Sequence, residues 1–392
     1  MKPLSNSAAL PVSATFHIDQ RARALAAEGR DIISFCVGEP DVAAPEAAAE
    51  AGVRAVRAGD TRYTHVAGTL ALRQAIADAL LRDAGVSYRP AQIAVTTGAK
   101  FAVYAAALVL CDPGDEVILP APCWTSYAHL LRLAGARPVI VPCGAENGYR
   151  LTPAQLSGAV TPRTKALILN DPCNPTGAVY PAAELSALAD VCRQADLYVI
   201  ADEIYASLVY APATFTAAAV SEDMYARTVT VGGVSKRYAM SGWRIGYAAG
   251  PAEVIRAVTA VCSHTTGCPA APSQAAAAAA LTGPQASVER MRRLFCARRD
   301  RLLPALNEIP GVSCVPPDGA FYALCDVRGA LTDALPDDRA FAAALLEREG
   351  VAVVPDTDFC APGTVRLSYT LPEQRMLEGA TRMARFVRSL RG

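Results

Sequence analysis

Between residues 92 and 250, short apolar runs alternate with longer stretches in which apolar positions recur every three or four residues. The runs Gln92–Thr97, Glu116–Pro120, Arg137–Pro142, Lys165–Asn170, Asp196–Ala201, Thr228–Val231 and Trp243–Ala248 predict seven β-strands. Ala166-Leu167-Ile168-Leu169 and Leu197-Tyr198-Val199-Ile200-Ala201 are apolar at every position, as strands buried on both faces are. Helical stretches between them imply a mainly parallel sheet, because a parallel crossover needs a helix to carry the chain back. One such stretch places Leu185, Leu188, Ala189 and Cys192 on a single stripe, with Glu184, Asp190 and Arg193 elsewhere.

After about residue 285 the texture changes. A charged helix from Glu289 to about Asn307 leads into strands near Val312–Val315 and Ala320–Asp326, a helix near Asp338–Glu349, strands at Val351–Val354 and Val365–Ser368, and a closing helix. Strands and helices without strict alternation predict a smaller α+β domain over 286–392. Residues 1–35 are expected to join it, since Asp19–Glu28 reads as a helix before a first strand at Ile32–Cys36. Residues 36–285 then form the large α/β domain.

Composition narrows the class. With 52% hydrophobic and 19% charged residues, the chain of 392 residues reads as well packed and globular. Lys plus Arg, at 37, balances Asp plus Glu, also 37, so neither nucleic acid nor an anionic membrane surface is an expected partner. The apolar run Ala275–Ala280 is far shorter than the ~20 residues of a membrane span. The twelve cysteines are scattered with no C-x-x-C pair, and four histidines offer few co-ligands, so no metal site is expected. Thiols inside apolar runs, with no apolar signal core at the start, fit a reducing cytoplasm.

The chemistry collects at the ends of the predicted strands. Lys236 follows Gly232-Gly233-Val234-Ser235, just past an apolar run, where open α/β sheets place their ligands. Asp202-Glu203-Ile204-Tyr205 follows another buried run, and a carboxylate there needs a cation such as a pyridinium nitrogen. Asn174, in Asn170-Asp171-Pro172-Cys173-Asn174-Pro175-Thr176-Gly177, and Tyr205 could both donate to a ring oxygen. Thr97-Gly98-Ala99-Lys100 opens the helix Phe101–Leu110 with small residues, which suits a phosphate; Ser235 and the planar fork of Arg244 could complete that site. Arg366 interrupts the apolar strand Val365-Arg366-Leu367-Ser368, either as a salt-bridged arginine or as a bidentate clamp on a carboxylate.

The set Gly38-Glu39-Pro40-Asp41, Tyr63, Gly98-Ala99-Lys100, Asn170 with Asn174-Pro175-Thr176-Gly177, Asp202-Glu203-Ile204-Tyr205, Ser235-Lys236, Gly242-Trp243-Arg244-Ile245-Gly246 and Arg366 resembles the class I aminotransferases of pyridoxal phosphate fold type I. It is similar to their bacterial aspartate aminotransferase subgroup over nearly the whole chain. The resemblance implies a seven-stranded large domain, pyridoxal 5'-phosphate as cofactor, and a ping-pong exchange between an L-amino acid and a 2-oxo acid. It implies that Lys236 holds the cofactor as a Schiff base and shuttles the proton at Cα. Asp202 would pair with the pyridine nitrogen, Asn174 and Tyr205 would bond the phenolic oxygen, and Trp124 would stack on the ring. Ser235, Arg244 and the Gly98-Ala99-Lys100 turn would hold the phosphate. Tyr63 would reach the phosphate of the neighbouring subunit, which implies a homodimer with active sites at its interface. Arg366, Asn170, Asn174 and Trp124, with the backbone at Gly38, would bind substrate.

The chain departs from that pattern at Ala99, where glycine is common, and at Gly233, where some relatives carry serine. No residue is assigned to a substrate side-chain carboxylate. A β C–S lyase or cyclopropane-forming synthase on the same scaffold, and a non-catalytic regulator that binds pyridoxal phosphate, stand as alternatives; the intact Lys236 weighs against the last.

Overall fold

A computed structural model describes residues 14–210 and 216–391, with side chains from His17 onward except Asp358. Residues 1–13 of the expected N-terminal segment lie outside it. Among the described residues, thirteen strands run in chain order: β1 Ile33–Ser34, β2 Ile93–Thr96, β3 Glu116–Ala121, β4 Arg137–Pro142, β5 Thr164–Asn170, β6 Tyr198–Asp202 and β7 Thr228–Gly233. They continue with β8 Gly246–Ala249, β9 Ser313–Cys314, β10 Tyr322–Asp326, β11 Val351–Ala352, β12 Val354–Pro355 and β13 Thr364–Ser368.

Seven of them form one sheet in the order β2-β8-β7-β6-β5-β3-β4. All its pairings are parallel except those of β8, which runs antiparallel to β2 and β7. Pro138 and Pro142 sit on β4, the edge strand, where a missing backbone donor costs least. The helices Ala99–Leu110 and Ala182–Gln194 cover the sheet. The second buries Leu185, Leu188, Ala189 and Cys192, the stripe its periodicity predicts. Each buried leucine contributes about 1.5–3 kcal/mol. Register aligns Asn170 of β5 with Asp202 of β6, and Asp202 with Val231 of β7. The residues that follow these three strands therefore share one edge of the sheet.

The smaller α+β part draws on both ends of the chain. Strands β12-β13-β10-β9 form an antiparallel sheet, while β1 pairs in parallel with β11, Ile33 opposite Val351. Helices Ala286–Asn307, Asp338–Glu349 and Glu373–Ser389 pack around a core that includes Phe295, Phe341, Leu345, Met383 and Phe386.

Three sequence expectations change. The strand expected at Trp243–Ala248 starts at Gly246, because Ser241–Trp243 is a single tight turn and Arg244 takes a left-handed φ of 56°. The run Val351–Val354 is two strands that change partner at Val353, β11 against β1 and β12 against β13. Cys314 and Cys325, expected as free thiols, stand opposite each other across β9 and β10 and are joined as a disulfide.

Candidate active site

A cavity of about 500 Å³ opens at the carboxyl ends of β5, β6 and β7. Among its lining residues are Gly38, Ala99, Lys100, Trp124, Asn170, Asn174, Asp202, Tyr205, Ser235, Lys236, Arg244 and Arg366. Eight separate segments of sequence thus converge on one space. Tyr63 stands apart, 98% exposed.

Lys236 follows the Gly232-Gly233 end of β7 and is half-buried; its Nζ donates to the carbonyl oxygen of Gly38 at 2.6 Å. Burial strips water from the ammonium and brings its pKa down to about 8, Glu39 opposing and Arg244 and Arg366 assisting. A neutral amine, able to act as nucleophile and base, is therefore available near neutral pH.

Asp202 ends β6 and is 3% exposed. Burial pushes its carboxyl up to about 6, against the hydrogen bond from Tyr127 Oη at 2.6 Å and the one from the Ile204 amide at 3.2 Å. No cation pairs with it among the described residues, so the site presents a buried carboxylate that lacks its counter-charge. Tyr127 lies on the helix Ser126–Leu133, and its ring meets Trp124 edge-on at 5.2 Å.

The turn after β5 is braced from within. Asn170 Nδ2 donates to the Asp202 carbonyl at 2.9 Å, and its Oδ1 accepts from the Asn174 amide at 2.8 Å. Both ends of Asn170 are thus spent on the scaffold, leaving the Asn174 side chain facing the cavity. Gly177 closes this turn with φ 68°; a Cβ there would stand 2.7 Å from the Gly319 carbonyl oxygen, so only glycine lets the segments pack.

Arg366, on β13, is 3% exposed. It donates to Asn174 Oδ1 at 3.0 Å and to the Cys36 carbonyl at 2.9 Å, while its buried Nε has no partner. Its guanidinium lies 4.6 Å from the centre of the Tyr322 ring and 5.0 Å from that of Phe359. Tyr322 in turn bonds the buried Tyr205 hydroxyl at 2.9 Å. Arg298 holds the loop that carries Gly38 by a bidentate pair with Asp41, at 2.7 and 2.8 Å.

The opposite wall suits an anion. Helix Ala99–Leu110 begins at Gly98, φ 83°, without a side-chain cap, so its first amides and positive end are open. A Cβ at Gly98 would collide with Arg244 Nη2, which places that guanidinium against the same turn. Ser235 and Ser241 add hydroxyls. Tyr127, Tyr322, Ser126, Ser241, Asp19 and Arg23 also line the cavity, and the sequence did not single them out for the site. Polar residues at i and i+4 of the predicted helix Asp19–Glu28 were the one available signal for the last pair.

The donor set fits pyridoxal phosphate: an open helix end with an arginine for the phosphate, a buried carboxylate for the ring nitrogen, and an amine for the aldehyde. The chain belongs to the aminotransferase class I and II family, whose pattern matches residues 30–383. It is a pyridoxal phosphate-dependent transaminase. It is 45% identical over 386 residues to the aspartate/prephenate aminotransferase of Cereibacter sphaeroides (strain ATCC 17029 / ATH 2.4.9), covering 96% of each chain. It is 44% identical over 390 residues to the aspartate aminotransferase of Geobacillus stearothermophilus, covering 99% of each. The solved structure of Thermus thermophilus aspartate aminotransferase with maleate superposes with a TM-score of 0.93 at 42% identity, covering 98% of this chain and 100% of that one. Neither the lyase nor the regulator alternative is favoured.

The phenol of Tyr127 holds the Asp202 carboxyl down, so its removal raises that carboxyl further. Tyr127→Phe is expected to lower kcat roughly 10- to 100-fold, the worth of a hydrogen bond to a charged group. The acid limb of kcat/KM should move to higher pH. A rate and pH profile both equal to the parent's would show that Tyr127 is only a core residue.

Proposed function

We propose that the chain exchanges the amino group of a dicarboxylic L-amino acid, such as aspartate, with a 2-oxo acid, and that Lys100 meets the distal carboxylate. The observation that carries this is the Lys100 side chain on the cavity wall, its Nζ 4.8 Å from the centre of the Trp124 ring. No carboxylate pairs with it among the described residues. Burial first, and Arg244 second, hold its ammonium below the ordinary lysine range. A partly dehydrated cation in a substrate cavity suits an anionic substrate end. The aspartate aminotransferases among its relatives, and the maleate of the Thermus thermophilus structure, support a dicarboxylate.

When bound, pyridoxal phosphate supplies an electron sink for the bond broken at the substrate Cα. The chain's residues divide the remaining work. Arg366 and Asn174 hold the α-carboxylate, the free Nε of Arg366 supplying an unused donor, and Gly38 closes the same end. This clamp sets the Cα–H bond toward Lys236, whose amine takes the proton from Cα and returns it. Asp202, held by Tyr127, would supply the negative charge that the ring nitrogen needs. Tyr205, tied to Tyr322, and Asn174 would bond the phenolic oxygen, and Trp124 would stack on the ring. Gly98, Ala99, Lys100, Ser235 and Arg244 would hold the phosphate, the first three through backbone amides. Asn170 acts in this account as a brace for Asn174 and Asp202.

The large cofactor-binding part is assigned to residues 36–285, and the smaller part to 1–35 with 286–392. The reading includes a homodimer in which the exposed Tyr63 reaches the neighbour's phosphate; so large a ring left in solvent supports a covering partner. A cytoplasmic location belongs to the same reading, supported by buried thiols such as Cys36, Cys111 and Cys262 outside any disulfide. No helix among the described residues is long and apolar enough to cross a membrane.

Lys100→Gln tests the donor assignment. KM for aspartate is expected to rise about 10- to 100-fold, as loss of one charge-assisted hydrogen bond implies. The kcat/KM for alanine should stay within about twofold of the parent. An equal loss with both donors would overturn the assignment and leave Lys100 to the phosphate turn alone.

A further inference from the structure

Four sulfurs gather around Cys123, the residue before Trp124. Cys123, Cys143 and Cys173 are buried, and Cys360 is exposed. The Cys173 thiol donates to the Pro122 carbonyl at 3.6 Å and that of Cys143 to the Val141 carbonyl at 3.5 Å. Cys123 is different: its thiol is hydrogen-bonded to that of Cys360, which belongs to the smaller part. The backbone joins them as well, since the Cys123 amide donates to the Phe359 carbonyl at 3.0 Å. Cys360 ends the turn Thr357–Phe359 in a left-handed conformation, φ 60°, that glycine adopts more readily. The bond to Cys360, with burial next, raises the Cys123 thiol well above the ordinary range. The proton therefore stays on Cys123, and the exposed Cys360 is the sulfur an oxidant meets.

We propose that Cys123 and Cys360 are a redox modification site, forming a reversible disulfide that ties the Trp124 wall of the substrate cavity to the smaller part of the chain. The oxidant class is a peroxide. The Cys360 sulfur attacks the O–O bond, becomes a sulfenic acid, and releases one water. The Cys123 sulfur then displaces the sulfenic oxygen, which leaves as a second water while the S–S bond forms. Two thiols give up two protons and two electrons, and the O–O bond takes them. A dithiol reverses the reaction and is itself oxidised to a disulfide.

The position makes the bond consequential. Trp124 follows Cys123 directly. Phe359 precedes Cys360 and lies under the Arg366 guanidinium. A disulfide would thus fasten the ring wall to the support of Arg366, two groups on different parts of the chain. Substrate entry and release need those parts to shift relative to each other, so the oxidised enzyme is slower with its cofactor still in place.

The test uses the purified enzyme loaded with pyridoxal phosphate and treated with hydrogen peroxide. Peptide mapping without reductant should give a Cys123–Cys360 linked peptide, separate from the Cys314–Cys325 one. Amino transfer should fall at least fivefold, the cofactor absorbance should persist, and dithiothreitol should restore the rate. Cys360→Gly, which also relaxes the left-handed residue, should give no such peptide and keep its activity after peroxide. In Cys123→Ser the Cys360 sulfenic acid should persist and react with dimedone. Absence of the linked peptide from the parent, with Cys360 recovered as sulfinic acid or joined to another cysteine, overturns the proposal. So does a linked enzyme that works at the reduced enzyme's rate.

Discussion

Lys236→Ala is expected to abolish amino transfer, lowering kcat by roughly 10⁴-fold or more, the upper range for removal of a positioned acid–base group. The Nζ of Lys236 is the one amine that burial brings down to about 8, and it sits beside Gly38, Asp202 and Arg366 in the same cavity. Among the described residues no other lysine except Lys100 lines that cavity, and Lys100 lies on the Trp124 wall. A second amine is therefore not poised to take over. The variant should fold, since Lys236 contributes one hydrogen bond to a carbonyl and leaves the sheet intact. It should also keep the phosphate donors at Gly98, Ser235 and Arg244. Absorbance titration with pyridoxal phosphate, with and without borohydride, separates binding from covalent attachment. Borohydride should fix the cofactor to the parent and not to the variant. For the parent freed of cofactor, attachment should be faster at pH 9 than at pH 7, because the neutral amine grows as pH rises through about 8. A variant that kept even a hundredth of the parent rate would overturn the role of Lys236.

Asp202→Asn should produce the second-largest loss. The change is nearly isosteric: the amide oxygen can still accept from the Ile204 amide, and the Tyr127 hydroxyl can turn to accept from the new Nδ2. What disappears is a negative charge at a position 3% exposed. Removing one partner of a buried charge pair costs about 3–5 kcal/mol, which corresponds to roughly two to four orders of magnitude in rate. The loss should fall on kcat, with KM for the amino donor changed little, because Arg366 and Lys100 remain. A kcat within tenfold of the parent would mean that the carboxylate is not the counter-charge of the ring.

Much of this was legible in the chain itself. The five apolar positions before Asp202 cannot face water on either side, so a carboxylate ending them had to mark a strand end with a charge to meet. Lys236 and Asn174 were found by the same logic. The helix stripe at Leu185, Leu188, Ala189 and Cys192 needed only its period. The failures share a cause: apolar runs report burial and not partner. Val351 to Val354 are buried throughout, so nothing in them marks the change of partner at Val353. Arg244 turns its backbone left-handed, which residue type alone does not announce, and the strand expected from Trp243 begins late. Tyr127 and Tyr322 look like ordinary core aromatics; only the fold sets their hydroxyls against Asp202 and Tyr205. Eleven residues separate Cys314 from Cys325, and only the register of β9 on β10 brings them face to face.

The pairing of β1 with β11 also imposes an order of events on a growing chain. Ile33 is made early and lies opposite Val351, which is made late. While the amino end waits, every strand of the seven-stranded sheet, from Ile93 to Ala249, has already been synthesised. Parts of a chain fold as they emerge, so the cup formed by Gly98, Ser235 and Arg244 precedes the wall that bears Arg366. During translation there is thus an interval in which the cofactor cup exists while Arg366, the cationic half of the substrate clamp, has yet to be made.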